Sequence, residues 1–250
     1  MNSSQHHENR HGGGDHDHQH GGGGHDHQAG GHEPDAAAMM TPEFWEDFYT
    51  ASDAVWSGNP NPQLVANVGD LSPGTALDVG SGEGADAIWL AERGWQVTGL
   101  DISTVALDRA ARRAALSGNQ IADRITWRQA DLLTWDPTAS PSVVGVYDLV
   151  SAQFMHLPRP VLQSLHRRLA ATVAPGGTLL IVGHHPMDVA TSTGRPAAPD
   201  MFYTAEEVAA ELDPEHWQIV IADAPGRSAT NPNGPSMMIR DAVMKAVRRS

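Results

Sequence analysis

Between Leu77 and Leu90 the chain reads LDVGSGEGADAIWL, an apolar run interrupted by glycine at every second position and leading at once into a helix-forming stretch. Glycine accepts backbone conformations that a Cβ forbids, so such a run turns a strand sharply into a helix and leaves its backbone open to close approach by a ligand. The succession of strand and helix then recurs along the chain. WQVTGLDIS, ITWRQADLL, YDLVSAQF and GGTLLIVGHH read as further strands after TALDVG. ADAIWLAERG, STVALDRAARRAALSGN with Ser103 as N-cap, and RPVLQSLHRRLAATV read as helices. This alternation predicts an α/β fold: a doubly wound, mostly parallel sheet with helices on both faces and right-handed crossovers. The end differs. After the helix TAEEVAAEL, the strands WQIVIADAP and SMMIRDAVMKAVRR are separated only by the loop GRSATNPNG, which predicts an antiparallel pair.

In a sheet of this kind, ligands collect at the carboxyl ends of the strands. Asp78, Gly80, Ser81, Gly82 and Gly84 stand at the end of the first strand, and Asp101 with Ile102 at the end of the second, 21 residues after Gly80. A carboxylate there is placed to accept both hydroxyls of a ribose. Asp131 and Leu132 come near the end of the third strand, so three acids on three successive strands describe a nucleoside site. Gly80, Gly82 and Ala85 also satisfy the looser G-x-G-x-x-A pattern, which keeps a nicotinamide-dependent oxidoreductase in view. Asp78 and Glu83 place negative charge beside the loop, which suits a pyrophosphate poorly and a cationic ligand well.

Composition narrows the chemistry. The 250 residues carry 30 acidic against 16 basic side chains, a formal net charge of -14 that repels a phosphate backbone and argues against nucleic acid as partner. Cysteine is absent, so there is no disulfide framework, thiolate zinc site or cysteine nucleophile. No secretory signal is recognisable, and no apolar run approaches the roughly 20 residues that span a bilayer. A cytoplasmic protein without a membrane partner is expected, working as a monomer or homodimer.

The run LDVGSGEGADAIWLAERG, then VTGLDIS, QADLL, YDLVSAQFMHL and APGGTLLIVGHH, resembles the class I S-adenosylmethionine-dependent methyltransferases in motif order, spacing and strand placement. The aromatic segment around WSGNPNPQLV looks most like small-molecule members near the thiopurine and tellurite-resistance methyltransferases. The resemblance implies a Rossmann-like, seven-stranded sheet with an antiparallel last strand, and S-adenosylmethionine as cofactor. It implies that Asp78 and the glycine turn lie against the cofactor's methionine part and that Asp101 binds its ribose. Asp131 and Leu132 would sit by the adenine, and Ser151 to Gln153 would line the inner side. The acceptor would be a small molecule. If that acceptor is a hydroxyl, His156 beyond the fourth strand and His184 and His185 at the end of the fifth are the candidates to take its proton. His166, beside Arg167 and Arg168, is expected on a solvated helix face.

Residues 1-38 are expected to form a separate, disordered tail rich in His, Gly and Asp, because they offer almost no aliphatic surface to offset the entropy of ordering. Nine of the 14 histidines precede Pro34, and His16, His18, His20, His25 and His27 alternate with aspartate, glutamine or glycine in a pattern able to chelate a divalent metal. A metal-buffering protein with an inactive cofactor-binding domain is therefore a third reading. The methyltransferase domain is expected over 39-250. Thr41-Pro42-Glu43 marks a helix start, and Phe44, Trp45, Phe48, Tyr49 and Trp56 form an aromatic segment suited to cover a pocket.

Overall fold

The computed structural model describes residues 40-137, 146-155, 157-188, 199-229 and 237-250. In chain order the elements are α1 (Pro42-Thr50), α2 (Pro62-Val68), β1 (Thr75-Val79), α3 (Ala85-Glu92), β2 (Gln96-Asp101), α4 (Thr104-Ser117), α5 (Asn119-Ala122), β3 (Ile125-Gln129), β4 (Tyr147-Gln153), α6 (Arg159-Ala171), β5 (Val173-His184), α7 (Ala205-Ala209), β6 (Trp217-Asp223), β7 (Gly226-Ala229) and β8 (Met237-Arg248).

The sheet runs β3-β2-β1-β4-β5-β8-β6, with β7 pairing β8 off that path. Strands β1 to β5 are parallel, and β8 is antiparallel to β5, β6 and β7. The doubly wound, mostly parallel sheet with an antiparallel last strand is thus present. It holds eight strands instead of the seven implied by resemblance, because GRSA within the expected loop pairs with MMIR as β7. The fifth strand begins earlier than GGTLLIVGHH: β5 runs from Val173 through the PGG stretch, where the β4-β5 register shifts between Tyr147 and Leu149.

Strand alternation separates two apolar layers. Leu77 and Val79 point into one, with Leu162, Leu165 and Leu169 of α6 and Val208 of α7. Ala76 points into the other, with Leu64 and Val68 of α2 and Ala87, Ile88 and Leu90 of α3. Each fully buried leucine contributes about 1.5-3 kcal/mol relative to leaving it exposed.

Helix α2 lies in a stretch whose sequence marks only a turn-rich lead-in. Its start is nonetheless local chemistry: Asn61 caps the backbone N-H of Gln63, and Pro62 occupies the first helical position. His166 is not on a solvated face. It is 2% exposed, its Nδ1 lies 3.0 Å from the Glu211 carboxylate as the donor, and its ring meets Tyr203 edge-on. The charged neighbours Arg167 and Arg168 suggest water, but α7 folds over this side of α6 and the segment after it supplies the partner. Among the described residues, no helix is long and apolar enough to cross a membrane.

Candidate cofactor crevice

Gly80, Gly82 and Gly84 adopt φ of +71°, +51° and +82°, the left-handed region that only glycine enters without strain. Their turn is tied down at its start, where the N-H groups of Gly80 and Ser81 both donate to the Leu100 carbonyl at 2.8 Å. Gly84 also needs its missing side chain for packing: a Cβ would lie 2.6 Å from Trp127 and 2.8 Å from Ala110. A Cβ on Gly82 would lie 2.9 Å from the Tyr49 hydroxyl, and one on Gly80 would lie 2.6 Å from the Met155 sulfur. The turn is therefore walled by β4's far end on one side and by the N-terminal aromatic segment on the other.

Four carboxylates surround it. Asp101 closes the base of the turn, accepting from Gly82 N at 2.8 Å and from Ser103 N at 3.0 Å. Burial pushes its carboxyl up despite these donors, with Glu46 adding to the rise. Asp78 is 1% exposed, and one of its oxygens has no partner among the described residues. Burial, then the negative charges of Asp86 and Asp101, raises it well above the usual range, and only the N-H of Ala87 opposes them. Asp86, in the first turn of α3, is pushed up to about 6 by burial although it accepts from Asn61 N at 2.6 Å. Glu83 is buried and accepts from Val55 N and Trp56 N while pairing with Arg109 at 3.0 Å.

The inner side is set by sheet register. Asp78 sits beside Ser151. Gln153, two residues on, donates from Nε2 to Ser151 Oγ at 2.7 Å, while its buried Oε1 has no partner among the described residues, like the buried Oγ of Ser81. Ile102 is half-buried and its carbonyl accepts from Gln129. Asp131 lies past the end of β3, where its carboxylate closes its own turn by accepting from Leu133 N at 2.9 Å. Arg168 holds that turn from α6 by donating to the carbonyls of Leu132 and Trp135.

The N-terminal segment reaches the crevice through a side chain with no local signature. Glu46 of α1 accepts from Ser103 Oγ at 2.7 Å, Thr104 N at 2.9 Å, Thr104 Oγ1 at 2.6 Å and Val105 N at 3.2 Å, so it caps the start of α4 from another helix. Burial would raise its carboxyl, but these donors outweigh that and hold it near pKa 2. Tyr49 is 4% exposed and its hydroxyl accepts from Trp56 Nε1 at 3.0 Å. Burial, then the Asp101 charge, pushes its phenol up.

His184 ends β5, with its ring centroid 4.5 Å from Phe154 and 6.0 Å from Phe202. His185 comes next, its Nδ1 accepting from Met187 N at 3.2 Å. His156 and the tail histidines His16, His18, His20, His25 and His27 lie outside the described residues.

A glycine cradle thus faces buried acceptors that lack donors, on Asp78 and Gln153, among carboxyls whose ionisation burial disfavours. That donor set fits a ligand carrying positive charge and N-H groups, and it opposes a pyrophosphate. A family model described as a methyltransferase domain matches residues 76-177, the span from β1 into β5. Residues 76-177 thus carry a methyltransferase domain, similar to those of the class I S-adenosylmethionine-dependent methyltransferases. S-adenosylmethionine, with its sulfonium and ammonium groups, is the cofactor of that family and matches the crevice's demand for cations.

Similar proteins agree. The methyltransferase domain is 30% identical over 139 residues to "Probable thiol methyltransferase 2" of Arabidopsis thaliana, covering 54% of this chain and 59% of the relative. It is 34% identical over 116 residues to "Ribosomal RNA small subunit methyltransferase C" of Alcanivorax borkumensis, covering 45% and 33%. The chain thus spans only part of the length of the curated relatives it matches. A structure solved in work on the conversion of a disulfide bond into a thioacetal group during echinomycin biosynthesis shares the fold. Its TM-score is 0.63 at 23% identity, over 83% of this chain and 92% of that one.

Proposed function

We propose that the protein transfers the methyl group of S-adenosylmethionine to a small-molecule acceptor. The observation that carries this reading is the acidic glycine cradle, Asp78 with Gly80, Ser81, Gly82 and Gly84, whose buried acceptors call for a cationic ligand. In this reading Asp78 and Gln153 accept from the cofactor's ammonium group, Asp101 from its ribose hydroxyls, and Ile102, Asp131 and Leu132 border the adenine. Tyr49 and Trp56 cover the turn.

The sulfonium supplies an already electrophilic methyl carbon, so the protein's own task is alignment and exclusion of water. The aromatic cluster of Phe44, Trp45, Phe48, Tyr49 and Trp56, with neighbouring ring centroids 5.3-6.3 Å apart, supports the second role. For a hydroxyl acceptor, His184 and His185 are the described side chains placed to receive a proton at the rim. A small acceptor is favoured over RNA because the net charge of -14 opposes a polyanion. The buried acids Asp78 and Asp101 beside the turn suit a pyrophosphate poorly, which favours S-adenosylmethionine over a nicotinamide dinucleotide.

Titration calorimetry tests the reading: S-adenosylmethionine and S-adenosylhomocysteine should bind and NADH should not, and binding of NADH alone would refute it. Asp101→Ala should weaken S-adenosylmethionine by about tenfold or more, as expected for lost charge-assisted hydrogen bonds. The histidine-rich segment 1-38 is read as a separate metal-holding arm. Deleting residues 2-33 should lower divalent-metal binding and leave cofactor affinity unchanged, whereas a joint loss would contradict its independence.

A further inference from the structure

The carboxyl edge of the sheet continues past the cofactor crevice, and its next side chains form a second group. Phe154, just after β4, is the one described non-glycine residue with positive φ, at +51°, and its N-H donates to the Val182 carbonyl at 2.7 Å. Such a conformation is strained for a bulky residue and persists only where the surroundings impose it. Here it lays the phenyl ring beside the His184 imidazole, with centroids 4.5 Å apart. Arg227 of β7 approaches the same phenyl ring, its guanidinium carbon 5.8 Å from the centroid.

Arg227 is held from behind. Its Nε donates to Asp241 Oδ2 at 2.7 Å, and that oxygen also accepts from Gln63 Nε2 of α2 at 3.2 Å. Asp241 is fully buried on β8, in register with His184, whereas the Arg227 side chain keeps 30% exposure. An Arg-carboxylate contact through Nε fixes the guanidinium plane and leaves the two terminal nitrogens at the opposite end. Neither has a partner among the described residues.

We infer that Arg227, oriented by Asp241, recognises a carboxylate on the methyl acceptor, whose planar portion lies against Phe154 and His184. This rests on the methyltransferase reading and adds the acceptor's chemical class. A carboxylate accepts two in-plane N-H groups at once, which matches the free end of a guanidinium better than any neutral group does. Gln63 donates to the same Asp241 oxygen, the other oxygen is buried without a partner among the described residues, and only the Arg227 end is exposed, so the outward end of the triad is its positive end. The edge as a whole is then polarised: Asp78 faces the cofactor's ammonium group and Asp101 its ribose, and Arg227 faces an anion beyond them. The role assigned to Arg227 is positioning; the atom that receives the methyl group is a separate question of reach.

The experiment uses the full chain saturated with S-adenosylhomocysteine and compares benzoate with benzamide, equal in shape and different in charge, by calorimetry or ligand-observed NMR. Benzoate should bind about tenfold more tightly than benzamide, the size of a charge-assisted pair of hydrogen bonds. The double variant Arg227→Gln with Asp241→Asn removes both charges together, so no unpaired charge is left buried. In it the preference should fall to near unity while S-adenosylhomocysteine affinity holds within about twofold. Arg227→Lys, which keeps charge and loses the fork, should give an intermediate preference. Equal binding of the two probes to the unaltered protein, no benzoate binding, or a preference that survives the double variant would overturn the assignment. Failure of S-adenosylhomocysteine to bind would instead refute the methyltransferase reading beneath it.

Discussion

Cofactor binding should release protons below neutral pH. In the ligand-free domain Asp86 titrates near 6, and Asp78 and Asp101 are also raised, chiefly because burial penalises their charged forms. A bound sulfonium and ammonium favour ionised carboxylates, so binding must draw off whatever protons these groups hold. For a single group of pKa 6, ionisation at pH 5 costs about 1.4 kcal/mol, which is about a tenfold loss of affinity relative to pH 7. The assay is calorimetric titration of S-adenosylmethionine from pH 5 to 7, in buffers of different ionisation enthalpy so that released protons are counted. Asp86→Asn should lower the pH at which affinity is half lost, because it removes the charge that raises Asp78 after burial. The sign for stability is the reverse of the ordinary paired carboxylate. A folded-state pKa above the unfolded value means that stability is full below about pH 4 and falls as pH rises through 6. Asp86→Asn should therefore stabilise the ligand-free domain at pH 7 by about 2-3 kcal/mol, with the gain vanishing near pH 4. Affinity that is flat from pH 5 to 7, with no proton release, would refute the premise that these buried acids wait for a cation.

The same geometry sets two further outcomes. Gly84→Ala places a Cβ 2.6 Å from Trp127 and imposes a side chain at φ +82°; it should destabilise the domain by about 2 kcal/mol or more in denaturant unfolding. Glu46→Ala strips four donors of their acceptor at the start of α4, and a cost of about 1-2 kcal/mol is expected, as for a lost helix cap. Limited proteolysis within α1 should accelerate in that variant, and an unchanged cleavage rate would show that Glu46 does not anchor the helix.

Local chemistry is the part of this protein that can be read directly from the order of its residues. The glycine turn is legible because only glycine can hold φ near +70° at three alternate positions, and Ser103 and Thr41 announce their helices because a side-chain oxygen before a helix satisfies its free N-H groups. Alternating strands and helices dictate the layered fold, and Asp78 and Asp101 stand where the sequence puts them, at the ends of β1 and β2. Tertiary structure decides everything that depends on which distant segments meet. GRSA is a strand because β8 passes beside it, and His166 is a buried partner of Glu211 because α7 folds over it. Asp86 has the pattern of an ordinary first-turn acid, and the chain before α2 buries it. Glu46, Gln63, Arg227 and Asp241 carry no local signal, since a polar or charged residue on a helix or strand is usually solvated. Their roles arise from contacts 57 residues apart for Glu46 with Ser103 and 178 apart for Gln63 with Asp241, and no local pattern encodes a pairing across that separation.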